Sequence, residues 1–190
     1  MQIFKIDLMV TSKSTEFGCL KTEDLKSERV YGLLSIRIGD ERYGTYIEEL
    51  ANELHPQDDL YCWIETLLEA LICILKTDYC AISDLESSSR WIEFIVYGLN
   101  VKISVIEADN AGDLMVTQPF IDKKIIIKGA KFDKGMVIKE IIDTASKFIE
   151  SVMDIEPRFV ETDQHKRVVY LLNDAVSSSK KKAGEACERT

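Results

Sequence analysis

The chain has 190 residues, of which 46% are hydrophobic and 30% are charged. These proportions exclude a disordered or fibrous protein, and the length suits one domain that buries about 70% of the surface its unfolded chain exposes. The formal net charge of -9 at pH 7 argues against phosphate-backbone binding, and so against nucleic acid as the main partner.

The acidic excess is confined to the middle third of the chain. From Asp40 to Asp109 there are fifteen carboxylates against four basic side chains, a balance of -11. Residues 1–39 and 110–190 each contribute a balance of +1. Ordinary folding does not require this segregation, which therefore indicates either a solubility function or a cationic partner.

Several features favour a cytoplasmic protein that makes no membrane contact. The five cysteines form an odd set without a C-x-x-C pair, which favours a reducing compartment and argues against a zinc site. The N-terminus, MQIFKIDLMV, lacks the pattern of a secretory signal. The longest apolar run, 61–75, is interrupted by Glu65 and Glu69 and is shorter than the roughly 20 residues of a membrane-spanning helix.

The first part of the chain predicts a strand, a mobile connection and a hairpin. Residues 4–10 alternate apolar and polar side chains, as in a strand with one covered face, whereas residues 12–29 lose this pattern. The next strand, 30–38, is followed by the turn Gly39-Asp40 and a returning strand at 42–47. A nucleotide-binding loop would need more glycines and a helix directly after them, so this turn indicates a hairpin corner.

The central part predicts a buried helix and a second hairpin. An apolar pattern at helical spacing covers Tyr61 to Leu75, and Asp58-Asp59 precedes it at the position favoured for a helix start. Strands are predicted on both sides of the turn at residues 98–100. Glu93 would share a strand face with Trp91, which favours a face that meets water.

The last part predicts one strand and two further elements. The stretch FIDKKIIIKGAKF indicates a strand, and an apolar stripe from about residue 134 indicates a helix that Pro157 ends. Residues 163–176 suit a helix, although RVVYLL is also compatible with a strand. The predicted fold is therefore α+β: residues 1–176 form one antiparallel sheet of five or six strands with two or three helices mainly on one face, and 177–190 form a disordered polar tail.

Catalytic and metal-binding patterns are absent from the sequence. His55 and His165 are the only histidines, and neither lies beside a serine or cysteine that a hydrolase would use. The carboxylate pairs Glu48-Glu49 and 58–59 lack the alternating ligand pattern of a calcium loop. We therefore expect no enzymatic activity, no cofactor and no metal.

The order of these elements resembles the small immunity proteins of bacterial polymorphic toxin and contact-dependent growth inhibition systems. The resemblance covers roughly residues 1–107, with GLLSIRIGDERYG before WIETLLEALICILK and SSSRWIEFIVYGLNVKISV after it. It implies a cytoplasmic protein that binds and neutralises a cognate toxin, for example a nuclease. The acidic middle third would suit a toxin with a basic surface.

The candidate partner-binding residues are the acids at turns and flanking segments of that third, because binding groups concentrate on loops held by a rigid scaffold. Two other functions remain open at this stage: an acidic adaptor or structural protein with a different partner, and a small enzyme with a pocket of clustered polar groups. The candidate residues are Asp40, Glu41, Glu48, Glu49, Glu53, Asp58, Asp59, Asp84 and Glu86.

Overall fold

The structure is a computed structural model that describes residues 2–44, 58–85, 87, 89–109 and 113–187. The α+β prediction is confirmed, and every strand pairing is antiparallel. Within the described residues the strands form two sheets, of four and five strands, where the sequence predicted a single sheet. Alternation along each strand sets which side is buried, but it carries no information on which strands become neighbours.

The four-stranded sheet contains the first predicted hairpin. Its strands are β1 (Phe4–Val10), β2 (Tyr31–Ile38), β3 (Glu41–Gly44) and β4 (Asp58–Asp59), with β2 between β1 and β3. The corner between β2 and β3 is Gly39-Asp40, and Gly39 has a φ of 66°. A glycine meets this requirement without the steric cost that a Cβ would add.

The five-stranded sheet contains the second predicted hairpin, formed by β6 and β7. Its strands follow the spatial order β8-β5-β6-β7-β9, so β8 and β9 are the edges. The strands are β5 (Tyr79–Ser83), β6 (Arg90–Tyr97), β7 (Asn100–Glu107), β8 (Met115–Val116) and β9 (Lys124–Asp133).

Among the described residues, four α-helices accompany the sheets: α1 (Ser14–Phe17), α2 (Leu60–Lys76), α3 (Lys134–Ile155) and α4 (Asp163–Cys187). Helix α2 is the predicted buried helix, and it packs against α3, α4 and β5. Helix α3 packs against β1, where Glu140 Oε1 accepts a hydrogen bond of 2.9 Å from the backbone N–H of Ile6. Within the described ranges, no helix is both long enough and apolar enough to cross a lipid bilayer.

Two sequence predictions about irregular segments are wrong. Residues 12–29 do not form a plain connection, because they bury Phe17 and Leu25 in the main core. The guanidinium of Arg158 fixes this segment by donating hydrogen bonds of 2.9 and 2.6 Å to the carbonyls of Phe17 and Leu20. The sequence predicted a disordered tail at 177–190, but the final helix continues past residue 176 to Cys187. The alternative of a strand at RVVYLL does not occur.

Part of the outer face of the five-stranded sheet, around Trp91 and Glu93, is buried, against the sequence expectation for these two residues. The Trp91 ring packs 5.0 Å, between ring centroids, from Phe120, which lies in the segment that follows β8. Tyr79, Ala81, Ile106 and Ala108 are the other buried members of a second apolar cluster on this face. Trp91 and Glu93 are consequently only 1% and 2% exposed.

Leu68 tests the role of α2. This side chain is fully buried, so Leu68→Asp would place an unpaired carboxylate in an apolar environment, which costs several kcal/mol of a total stability of about 5–15 kcal/mol. We expect the variant to be unfolded by circular dichroism. The matched control is Leu99→Asp, because Leu99 is 78% exposed at the β6–β7 turn and should tolerate the same change. A normal melting transition for Leu68→Asp would contradict the placement of α2 in the core.

Candidate functional site

Four of the five described candidate acids lie in two groups at opposite ends of β3, and the fifth, Asp59, begins α2. Asp40, in the turn before this strand, and Glu41, its first residue, are both exposed. At its other end, Asp58 and Asp84 line a cleft together with Tyr43 and Gly44. The remaining candidates, Glu48, Glu49, Glu53 and Glu86, lie outside the described residues.

Asp58 is an internal structural residue rather than the exposed loop acid that the sequence predicted. It is only 5% exposed. Its Oδ2 accepts a hydrogen bond of 3.3 Å from the backbone N–H of Leu34, and its Oδ1 accepts one of 3.3 Å from Trp63 Nε1. Asp58 therefore connects the middle of β2 to the first turn of α2, and burial is tolerated because both carboxylate oxygens are hydrogen-bonded.

Asp59 begins α2, as its position before the apolar run predicted. Its Oδ1 accepts a hydrogen bond of 3.4 Å from the backbone N–H of Cys62, and its Oδ2 lies 3.1 Å from Arg29 Nη1. A carboxylate at this position satisfies one of the free N–H groups of the first turn and interacts favourably with the helix dipole. Asp59 is half-buried, so only part of its charge faces solvent.

Asp84 is also buried, which contradicts its predicted place on the surface. Its carboxylate accepts a hydrogen bond from the hydroxyl of Tyr43, which joins β3 to the end of β5. Burial, and then the neighbouring Asp84 carboxylate, raise the pKa of Tyr43 well above its ordinary value. Tyr43 therefore remains protonated and acts as a hydrogen-bond donor rather than as a base or nucleophile.

The cleft between the two sheets has a volume of about 240 Å³. This volume is below the 300–1,000 Å³ typical of small-molecule sites. Among the described residues that line it, two carboxylates and two guanidinium groups balance in charge, and none is a histidine or cysteine. The cleft is lined by Leu34, Ile36, Arg42, Tyr43, Gly44, Asp58, Trp63, Asp84 and Arg90.

The geometry of this cleft fits a structural junction better than a reaction site. Asp58 and Asp84 already accept hydrogen bonds from the protein, and Tyr43 is held in its neutral form. Across the described ranges, no group of three or more histidine, cysteine or acidic side chains is arranged to hold a metal ion.

His165 lies in the core rather than at an accessible position. Its Nδ1 is 3.1 Å from the hydroxyl of Tyr61, and its ring packs beside that of Tyr61 among residues of α2, α3 and α4. Burial lowers the pKa of His165. The second histidine, His55, lies outside the described residues.

The sequence did not predict the buried polar cluster around Glu93. Its Oε1 accepts a hydrogen bond of 3.0 Å from the Tyr79 hydroxyl, and its Oε2 accepts one of 3.0 Å from Ser104 Oγ. Lys123 forms an ion pair with the same carboxylate. The only signal in the sequence is the regular alternation of β6, which places Glu93 beside Trp91, and this signal does not reveal that residues 116–123 cover that face.

No protein-family model matches this chain, and no curated protein or solved structure shows significant similarity to it.

Asp58→Ala tests the structural role of the cleft. The substitution would leave the Leu34 N–H and the Trp63 indole N–H without their carboxylate acceptor, and each buried unsatisfied donor costs about 1–3 kcal/mol. We expect chemical denaturation to show a loss on the order of 2–5 kcal/mol. Asp40→Ala is the matched control and should change the unfolding free energy by less than about 0.5 kcal/mol, because Asp40 is exposed. Equal effects of the two substitutions would contradict this assignment.

His165 should make stability depend on pH below neutrality. Its pKa is lowered in the folded state, whereas the unfolded chain should titrate near the ordinary value of about 6.5. The unfolded state then binds a proton that the folded state excludes, so the unfolding free energy should fall as pH decreases through about 6.5. His165→Phe should have a shallower decrease between about pH 7 and 5.5 than the wild type, measured by urea denaturation at each pH. The same slope in both proteins would rule out a contribution from His165.

Proposed function

We propose that this chain is a cytoplasmic immunity protein that binds and neutralises a cognate protein toxin with a basic surface, through the exposed acidic corner of the β2–β3 hairpin. The observation that carries the proposal is the state of Asp40 and Glu41. Both side chains are exposed, and neither forms an ion pair within the described part of the chain.

Several other acids of the middle third have their charges compensated inside the molecule, although Asp78 and Asp109 are exposed without an ion pair among the described residues. Glu65 and Glu69 pair with Arg167, Asp59 pairs with Arg29, and Glu93 pairs with Lys123. The charges at the corner therefore remain available to steer a cationic partner toward this part of the surface.

The corner is held rigidly, which favours it as a binding element. The backbone N–H of Gly39 donates a hydrogen bond of 2.8 Å to the carbonyl of Ile3, and Gly39 lies against Ala130 of β9. A pre-ordered corner loses little conformational entropy when a partner binds.

An exposed apolar tip lies near this corner. In the β6–β7 hairpin, Tyr97 and Leu99 are 54% and 78% exposed. Asn100 at the tip pairs with Asp133 of β9. Asp133 lies three residues along the strand from Ala130, a separation of about 10 Å. Apolar side chains beside a charged rim are the arrangement found in protein interfaces. This combination supports protein binding rather than chemistry in the cleft.

The experiment combines partner identification with charge reversal. The partner would be copurified from the native host, and its toxic activity would be assayed with and without this chain. The variant carries Asp40→Lys and Glu41→Lys. Its matched control carries Glu150→Lys and Asp154→Lys, which change the charge equally at exposed positions of α3.

We expect the corner variant to bind roughly 2- to 30-fold more weakly, since exposed ion pairs contribute about 0.2–1 kcal/mol each and two acids are reversed. Its association rate should fall and depend less on salt, whereas the α3 control should resemble the wild type. Equal rates for both variants would exclude the corner as the interface. A copurified partner whose activity is unaffected by this chain would overturn the immunity function itself.

A further inference from the structure

Strand β9 exposes an aliphatic edge that the proposed function does not use. It is the last strand of the five-stranded sheet, so the side of β9 away from β7 has no strand partner among the described residues. Ile125 and Ile126 are 55% and 40% exposed on this strand, and Ile121, just before it, is 97% exposed. We name residues 124–128 of β9 the open edge.

The open edge is a consequence of the pairing between β7 and β9. The register shifts twice, between Ile103 and Val105 and between Val105 and Ile106. These irregularities place Ile127 in the main core, while Ile125 lies opposite Ile106 of the second apolar cluster. A regular strand would point Ile125 and Ile127 to the same side, so the bulges account for the exposed isoleucines.

Contacts at both ends hold the open edge in place. Before it, Lys123 is tied to the buried Glu93, and Phe120 packs on Trp91. After it, the backbone N–H of Lys131 donates a hydrogen bond of 3.3 Å to Gln2 Oε1. The exposed isoleucines therefore lie on an ordered strand, and their exposure does not come from a frayed end.

The charge around the open edge is positive, opposite to that of the middle third of the chain. Lys124, Lys128 and Lys131 are exposed. Lys124 lies 3.3 Å from Glu107, whereas Lys128 and Lys131 form no ion pair within the described ranges. The segment from Lys123 to Lys139 contains six lysines and one acid, Asp133.

We propose that the open edge of β9 binds an extended, acidic segment of a partner protein, which adds to the five-stranded sheet as a further strand. Strand addition uses main-chain hydrogen bonds for affinity and side-chain contacts for specificity. Alternating aliphatic and acidic residues in the partner would contact Ile125 or Ile126 on one side and Lys128 on the other. The proposal does not depend on the basic toxin, because it concerns a partner of opposite charge and the residues 124–128, although the acidic corner lies beside the same strand, at Ala130.

Charge complementarity favours this occupant over two others. Pairing of β9 with β9 of a second copy would bring lysines together, and lysines on an edge strand oppose such self-association. An anionic membrane could attract the lysines, but a membrane would leave the hydrogen-bonding groups of the strand edge unpaired. An acidic strand satisfies both the lysines and the backbone groups.

The test uses two eight-residue peptides, one alternating valine with glutamate and the other alternating valine with lysine. Each is titrated into ¹⁵N-labelled full chain while the amide signals of β9 are followed. We expect the acidic peptide to shift the signals of the open edge, with an effect that weakens as salt is added. The lysine peptide should cause no saturable change.

Variants of the chain then distinguish an effect of the lost charge on binding from an effect of unfolding. Lys128→Glu with Lys131→Glu should weaken binding of the acidic peptide at least tenfold, whereas Lys21→Glu with Lys26→Glu, at exposed positions outside both sheets, should bind like the wild type. Ile126→Thr, which keeps the charge, should also weaken binding. Circular dichroism checks that each variant is folded, and Lys128→Gln replaces the double variant if that one is not.

Three results would overturn the proposal. The β9 signals could remain unchanged with the acidic peptide, or both peptides could shift them equally. Vesicles of anionic lipid could bind the chain through Lys128 and Lys131 while neither peptide does, which would assign the open edge to a membrane surface.

Discussion

Burial of α2 is the constraint on which the rest of the structure depends. Its side chains are apolar on nearly every face, and a helix of this kind must be covered on all sides. Helices α3 and α4 and strand β5 provide the cover. The two acids in the middle of the helix, Glu65 and Glu69, lie at the margin of this cover, where Arg167 of α4 compensates both charges.

The same constraint explains where the buried polar groups lie. At the junction of the two sheets, residues before and beside α2 must accept hydrogen bonds from backbone and side-chain donors. Asp58 accepts them from the backbone N–H of Leu34 and the indole N–H of Trp63. Tyr43 and Asp84 make the equivalent connection between β3 and β5. Carboxylates that accept such hydrogen bonds hold the two sheets together but contribute little charge to the surface. Much of the acidity of the middle third is therefore internal or paired, whereas Asp40 and Glu41, like Asp78 and Asp109, are exposed and form no ion pair within the described residues.

The edges of the two sheets differ in what covers them. Glu140 of α3 caps the N–H of Ile6 on β1, so that edge is occupied by a helix. On β9, the contacts from Gln2 and from Lys123 lie at the two ends, and the residues between them present isoleucines and lysines to solvent. An ordered, charged edge of this kind discriminates between partner strands by the sign of their charge.

The sequence by itself determined the elements whose signals are local. The apolar spacing over residues 61–75 predicted α2, Asp59 marked its start, and the turns at Gly39-Asp40 and at residues 98–100 predicted two hairpins. Periodicity and turn chemistry depend on neighbours within a few residues, and such neighbours are visible in the chain.

Only the tertiary structure decided which polar residues are exposed. Glu93 was expected to meet water, but Phe120 and Lys123, almost thirty residues further along the chain, cover its face of the sheet. Asp84 was expected on the surface, but its carboxylate receives the Tyr43 hydroxyl from the other sheet. The exposure of a side chain depends on segments that are distant in sequence and approach only on folding, so no local pattern around Glu93 or Asp84 could have revealed it.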